Sequence, residues 1–118
     1  MSGSGSNSEA KRLHYLEVHE AALAGQHTLS PAGELDMASA PELRAAIERA
    51  CAAGPSAITL DLSGLTFIDS TGLHVITSTS ERCKRLEIDF QLVPGPQPIQ
   101  RLFEVTGLLA ALPFRAAA

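Results

Sequence analysis

A serine, Ser70, stands where an apolar stretch of the sequence changes into a segment with helical spacing. The run Thr66–Leu73 reads T-F-I-D-S-T-G-L, so a second hydroxyl side chain, Thr71, directly follows that serine. A hydroxyl group at the start of a helix can cap free backbone amides, act as a nucleophile or accept a phosphate group. The other motifs and elements of the chain decide among these three roles.

The role of a nucleophile requires more than this junction provides. A nucleophile elbow between a strand and a helix has glycine two residues before the serine, whereas Ile68 occupies that position here. The general base would have to be His74, one turn further along the same predicted helix. A serine hydrolase is therefore a minor alternative.

Sequence patterns for metal, cofactor and phosphate binding are missing from the chain. Neither G-x-x-x-x-G-K-S/T nor G-x-G-x-x-G occurs, and these are the glycine-rich loops that cradle phosphates. The four histidines are scattered through separate elements, without the H-E-x-x-H spacing of a zinc hydrolase. The lysines, Lys11 and Lys84, do not supply the partner that a receiver-type phosphoaspartate needs near its last strand. We therefore predict no catalytic residues, no metal and no cofactor.

The composition is that of one small, mildly acidic globular domain. The 118 residues can bury one core but are too few for two ordinary domains, and 45% of them are hydrophobic. A net charge of −4 argues against direct nucleic-acid contact and offers no polybasic patch to a membrane. No apolar run approaches the roughly 20 residues of a membrane span, and no signal peptide is recognisable. We therefore expect a cytoplasmic protein without membrane insertion.

The two cysteines, Cys51 and Cys83, fall in separate predicted helices. They show no C-x-x-C spacing, and no histidine lies near them at the spacing of a metal ligand. We therefore predict two free and buried thiols, because free cysteines are among the residues most often found inside proteins.

The elements that position Ser70 follow from the spacing of apolar residues and from turn signals. The predicted strands are Leu13–Val18, His27–Ala32, Ala57–Leu62 and Ile88–Val93, and the predicted helices are about Ala40–Ala53, Thr71–Leu86 and Ile99–Val105. The first two strands form a hairpin, after which strands and helices alternate. This order predicts right-handed crossovers and a largely parallel inner sheet, with Ala57–Leu62 as its central strand, in a mixed α/β domain.

Four single residues add local detail to this prediction. Ser39 and Glu42, three residues apart, form a capping-box pattern at the start of the first helix. Pro31 has no N–H to donate, so we expect it near a strand end or on a sheet edge. Gly72 is expected where the backbone approaches another element closely. The predicted core includes Leu73, Ile76, Phe103 and Leu108.

Three segments occur in a fixed order: G-E-L-D at 33–36, L-D-L-S-G-L-T-F-I-D-S-T-G-L at 60–73 and R-L-F-E-V-T-G-L at 101–108. Together they resemble the STAS domain of bacterial anti-sigma factor antagonists, over about His14 to Phe114. Residues 1–11, rich in serine and glycine, are predicted to be a flexible leader, and residues 12–115 a single STAS domain. The resemblance implies an α/β fold with a small mixed sheet, an opening hairpin followed by parallel strands, and helices mainly on one face.

The resemblance also implies a regulatory function without catalysis. Ser70 matches the serine that a partner kinase phosphorylates, and Thr71 is a less favoured acceptor. The unmodified protein would bind an anti-sigma factor that is also a serine/threonine kinase, and so free a sigma factor for transcription. Phosphorylation would end that binding, and a protein phosphatase would restore it. The residues implied in partner contact are Glu34, Asp36, Asp69, Ser70, Thr71 and Gly72.

Two other interpretations of these residues stay open. A STAS subunit of a stress-signalling scaffold or a lipid-transport complex would dock a partner through the same serine surface, without sigma control. In a purely local interpretation, Ser70 or Thr71 caps the helix, and Glu34 and Asp36 solvate or cap a loop. Capping and switching are compatible, since a phosphate at a helix start meets free amides and the positive end of the helix dipole.

Overall fold

The computed structural model describes residues 16–115, so the predicted leader and the first residues of the first predicted strand lie outside the described part. The elements are β1 Leu16–Leu23, β2 Gln26–Leu35, α1 Ala40–Ala52, β3 Ala57–Asp61, β4 Leu65–Ile68, α2 Ser70–Arg85, β5 Asp89–Val93 and α3 Gln97–Val105. Each predicted helix and strand has a counterpart of the same type, with shifted ends. No helix among these described residues is long and apolar enough to cross a membrane.

The strands form one mixed sheet in the order β1-β2-β3-β5, with β4 paired to β2. β1 and β2 are antiparallel and turn at Ala24 and Gly25, whose φ angles are 52° and 81°. The pairs β2–β3, β2–β4 and β3–β5 are parallel. The opening hairpin, the parallel inner sheet and the central position of the strand at 57–61 are thereby confirmed.

The chain between α1 and α2 contains two strands, so the prediction of one strand there is wrong. A turn after β3 separates them: Asp61 Oδ1 accepts from Ser63 N at 2.9 Å, and Leu65 N donates to Leu62 O at 3.1 Å. Through this turn the chain passes from β3, which pairs with the first half of β2, to β4, which pairs with the second half of β2. This shift brings the residues before Ser70 to the end of β2.

Pro31 lies inside β2, so its predicted position near a strand end or on a sheet edge is wrong. β2 has β1 on one side and both β3 and β4 on the other. On the second side, β3 pairs with Gln26–Leu29 and β4 pairs with Gly33–Leu35. Pro31 falls between these two stretches, where β2 has no register partner on that side, and a missing N–H is tolerated there.

Burial alternates along β3 and β5, as expected where one face of a sheet is covered. Ile58 and Leu60 in β3 are buried while their neighbours in the strand are partly exposed, and β5 shows the same alternation. The buried hydrophobic residues of the helices are Ala40, Leu43, Ala46, Ile47, Ala50, Leu73, Val75, Ile76, Cys83, Ile99 and Phe103. Leu73, Ile76 and Phe103 are thereby confirmed as core residues, whereas Leu108 is only partly buried against the core.

Candidate functional site

The parallel strands β2 and β4 are neighbours and end side by side, just before Ser70. Leu35 and Ile68 are partners in the parallel register, and both side chains are buried. Asp69 N donates to Leu35 O at 3.2 Å, which extends the pairing by one residue. The residues that follow each strand therefore meet at one edge of the sheet, and Ser70 is placed there.

Asp69 is the N-cap of α2, so the alternative in which Ser70 or Thr71 caps the helix is wrong. The backbone of Asp69 is extended, at φ −114° and ψ −172°, and its Oδ1 accepts from Gly72 N at 3.0 Å. Ser70 is already the first helical residue, so its side chain is not in the capping position. Ser70 is exposed, Thr71 is half-buried, and the Ser70 hydroxyl makes no hydrogen bond within residues 16–115.

Gly72 allows α2 to begin directly above the ends of β2 and β4. A Cβ at this position would lie 2.7 Å from Ile68 Cγ1 and 2.8 Å from Leu35 Cγ, distances that side-chain atoms do not tolerate. The predicted close approach of the backbone at this glycine is confirmed. Gly72 is buried, so its observed role is to bring the helix start onto the sheet.

The loop after β2 is held by Asp36 and Ser39. Asp36 Oδ1 accepts from Ala38 N and Ser39 N, both at 3.0 Å, and Asp36 O accepts from Ala40 N at 2.8 Å. The Ser39 hydroxyl donates to Glu34 O at 2.7 Å and makes no cap hydrogen bond to α1. The predicted capping box is therefore wrong, because this hydroxyl is used by the preceding loop. Asp36 has the local capping role considered above, and its contact with a partner stays a prediction.

Two exposed apolar side chains at this edge were not predicted from the sequence. Met37 is 74% exposed and follows Asp36, and Phe67 is 47% exposed and is the register partner of Glu34. No periodic signal marked Phe67 as exposed, because β4 has only four residues and their burial does not alternate. Met37 stands in a loop, where no periodic signal applies. We call the group formed by Glu34, Asp36, Met37, Phe67, Asp69, Ser70 and Thr71 the Ser70 surface.

The chemistry available at the Ser70 surface is modification of a hydroxyl group. No group of three or more potential metal ligands comes together in the part of the chain that the structure describes. His74 is exposed one turn beyond Ser70, and no hydrogen bond joins the two side chains within residues 16–115. The amides of Ser70 and Thr71 open the helix and lack intrahelical acceptors, so a phosphate placed there would meet free donors.

Comparison with known proteins identifies relatives over most of the chain. The anti-sigma-F factor antagonist RsfB of Mycobacterium tuberculosis is 33% identical over 84 residues, which cover 71% of this chain and 68% of that protein. An anti-sigma factor antagonist from Mycobacterium paratuberculosis has a crystal structure with a TM-score of 0.77 and 31% identity, covering 86% of each chain. The Bacillus antagonist SpoIIAA, in its unphosphorylated form, shares the fold at a TM-score of 0.72 and 18% identity, over 86% of this chain and 89% of that one.

The STAS domain family model matches residues 17–117, a range that includes the whole Ser70 surface. The solved structures confirm the predicted fold class, a single α/β domain with a mixed sheet. On the family match and on the relatives above, the chain belongs to the STAS domain family and, within it, to the anti-sigma factor antagonists.

Proposed function

We propose that the unphosphorylated chain binds an anti-sigma factor that is also a serine/threonine kinase, and so releases a sigma factor for transcription. Phosphorylation of Ser70 by that kinase ends the binding, and a protein phosphatase restores it. The observation that carries the proposal is the exposed Ser70 hydroxyl, which opens α2 and has no hydrogen bond within residues 16–115. The family relatives support this role, because they are named as anti-sigma factor antagonists.

Charge and hydration give the switch its physical basis. A phosphate adds about −1.5 to −2 charges and a strongly hydrated group. In the unmodified protein, a partner can cover the small hydroxyl together with the exposed side chains of Met37 and Phe67. A phosphate on Ser70 would have to lose its water beneath that partner, next to the carboxylate of Asp69. A cost of about 3 kcal/mol, roughly 100-fold in affinity, is enough to change partners.

The chain acts in this proposal as a binding protein in the cytoplasm and not as an enzyme. The transferred phosphoryl group comes from ATP bound by the kinase, so the chain itself contributes only an acceptor hydroxyl and a docking surface. Ser70 is favoured over Thr71 as the acceptor because its side chain is exposed, whereas that of Thr71 is half-buried. In this proposal Glu34 and Asp36 also contact the partner, since they stand at the end of β2, beside the strand end that leads to Ser70.

The test is phosphorylation by the cognate kinase with ATP, followed by mapping of the phosphate by mass spectrometry. We expect the phosphate on Ser70, and we expect Ser70→Ala to abolish labelling while Thr71→Ala retains it. Labelling of another residue, or of none, would contradict the proposal.

Binding measured by calorimetry tests the second half of the proposal. Ser70→Asp should weaken binding of the anti-sigma factor by roughly 100-fold, whereas Ser70→Ala should bind nearly as the native chain does. Ser78→Asp is the matched control, because it places the same charge on an exposed position of α2, two turns from Ser70. Equal weakening by both aspartates would point to net charge and not to the Ser70 surface. Capture of a signalling scaffold or of a lipid-transport complex in place of an anti-sigma factor would favour the alternative STAS role.

A further inference from the structure

The two cysteines of the chain lie near the carboxyl ends of two helices that pack together. Cys51 lies in the last turn of α1 and Cys83 near the end of α2, and the two helices are in contact. Cys83 is fully buried, which confirms the sequence prediction, whereas Cys51 is only half-buried. One thiol is therefore reachable from solvent, and the other lies behind it in the core.

An ion pair holds the two helices together at this level. Arg82 Nη1 donates to Glu48 Oε2 at 2.7 Å, and Arg82 Nη2 donates to Glu48 Oε1 at 3.1 Å. Glu48 and Cys51 are three residues apart on α1 and share a face, while Arg82 directly precedes Cys83 on α2. Through this pairing the two thiols lie near one guanidinium, and Cys51, Cys83 and Arg82 act on one another electrostatically.

The two thiols differ in reactivity because of their surroundings. Burial raises the pKa of Cys83 to about 11, the neighbouring Cys51 raises it further, and the Arg82 guanidinium opposes the shift. Cys83 therefore stays protonated at neutral pH, and an oxidant dissolved in water reaches Cys51 first.

We propose that Cys51 and Cys83 form a reversible disulfide on exposure to hydrogen peroxide, as a modification site separate from Ser70. The Cys51 thiolate attacks one peroxide oxygen, the O–O bond breaks, and the products are Cys51 sulfenic acid and, after protonation, water. The Cys83 sulfur then displaces the hydroxyl group from the Cys51 sulfur, which forms the S–S bond and releases a second water. In total, two thiols lose two electrons and two protons, and one peroxide is reduced to two waters.

A disulfide between Cys51 and Cys83 would form whether or not the chain controls a sigma factor. The cross-link would tie α1 to α2 and enclose residues 52–82, which contain β3, β4 and most of α2. A covalent loop of this size restricts the unfolded chain and stabilises the folded one. Reducing conditions return the thiols, as expected of redox-sensing disulfides in a cell interior.

The test is treatment of the purified chain with hydrogen peroxide, alkylation with N-ethylmaleimide, and mass spectrometry under non-reducing conditions. We expect a monomer lighter by two hydrogen atoms, with neither cysteine alkylated, and a Cys51–Cys83 linked peptide that dithiothreitol separates. The thermal midpoint should rise by roughly 10 °C on oxidation and return on reduction.

Cys51→Ser and Cys83→Ala serve as matched controls, since each leaves a single thiol. Neither variant should form the linked peptide or show the rise in thermal midpoint. Alkylation of both cysteines after peroxide treatment, a disulfide between two chains, or sulfinic and sulfonic acids on Cys51 as the main products would each overturn the proposal.

Discussion

At the scale of single residues, the start of α2 is fixed by groups other than the hydroxyl that it presents. The Asp69 carboxylate caps the helix, and the missing side chain of Gly72 lets the helix rest on the strand ends. Ser70 lies between these two residues in the sequence, is exposed, and has neither of these structural roles. A residue without a structural task can be modified at little cost to the fold, which is what a switch requires.

Replacing Gly72 by alanine should destabilise the protein, although alanine has the higher helix propensity. Alanine is favoured over glycine inside a helix by up to about 1 kcal/mol. Here the added Cβ would lie 2.7 Å from Ile68 Cγ1, so the helix start or the strand ends must shift. We expect the free energy of unfolding, measured by urea denaturation, to fall by about 1–3 kcal/mol.

Ser78→Ala is the control for that measurement, because Ser78 is exposed in the same helix and its hydroxyl donates only to backbone carbonyls of the preceding turn. Its effect should stay within about 0.5 kcal/mol. A Gly72→Ala variant as stable as the native chain would show that α2 does not depend on this close contact.

The helix caps are a residue-scale feature that the sequence did not predict correctly. The S-x-x-E pattern at Ser39 correctly marked the start of α1, but the hydroxyl was already engaged by the carbonyl of Glu34. At α2 the sequence suggested Ser70 or Thr71 as the cap, whereas the extended backbone and the carboxylate of Asp69 make that residue the cap. These two patterns located the helix starts to within a residue, whereas the identity of the capping group depends on backbone conformation and on hydrogen bonds to the adjacent loop.

At the scale of elements, the alternation of strands and helices was predictable, and the pairing of a short strand was not. β4 has only four residues, Leu65–Ile68, and two of them are exposed, so it lacks a periodic signal of its own. Its place next to β2 depends on the turn at 61–64, which includes the contact of Gly33 N with Gly64 O at 3.0 Å. The same geometry explains why Pro31 is tolerated inside β2. It lies opposite the gap between β3 and β4, and that gap exists only once both strands are paired with β2.

The end of the described chain is attached to the domain by an aromatic pair and by backbone hydrogen bonds. The rings of Phe103 and Phe114 meet edge to face, with centroids 5.0 Å apart. Pro113 O accepts from Leu92 N at 3.0 Å, and Leu92 O accepts from Arg115 N at 2.7 Å, so this segment bonds to the outer edge of β5. The contacts protect an edge strand that would otherwise expose free backbone groups.

Phe114→Ala should release this segment while leaving the sheet folded. The variant loses the aromatic pair and part of a buried surface, for which we expect about 2 kcal/mol of unfolding free energy. The more specific result is local: the amide of Leu92 loses its acceptor, and its hydrogen exchange should accelerate by roughly tenfold or more. Leu109→Ala, at a position 39% exposed, is the control and should leave that exchange rate unchanged. Continued protection of the Leu92 amide in Phe114→Ala would show that other contacts hold the segment.

At the scale of the whole molecule, the fold separates the two proposed modification sites. Ser70 lies at the first residue of α2, and Cys83 lies near the end of the same helix, 13 residues later in the chain. The first position faces outward at the carboxyl ends of β2 and β4, while the second is buried against α1. Phosphorylation should therefore act on an outer surface, and oxidation on the packing of two helices.

Phosphorylation of Ser70 should leave the stability of the domain nearly unchanged. The phosphate would stand at the positive end of the α2 dipole, an interaction worth about 0.3–1 kcal/mol, near amides that open the helix. We expect the free energy of unfolding of semisynthetic Ser70 phosphoprotein to lie within about 1 kcal/mol of the native value, with one cooperative transition. Thr79→Asp provides the contrast, because Thr79 is buried and its hydroxyl donates to Val75 O at 2.7 Å. A charge at that position should lower the free energy of unfolding by several times as much as the phosphate on Ser70 does. A phosphoprotein that unfolds as readily as Thr79→Asp would mean that the switch acts by disrupting the domain, and not by changing one surface of an intact one.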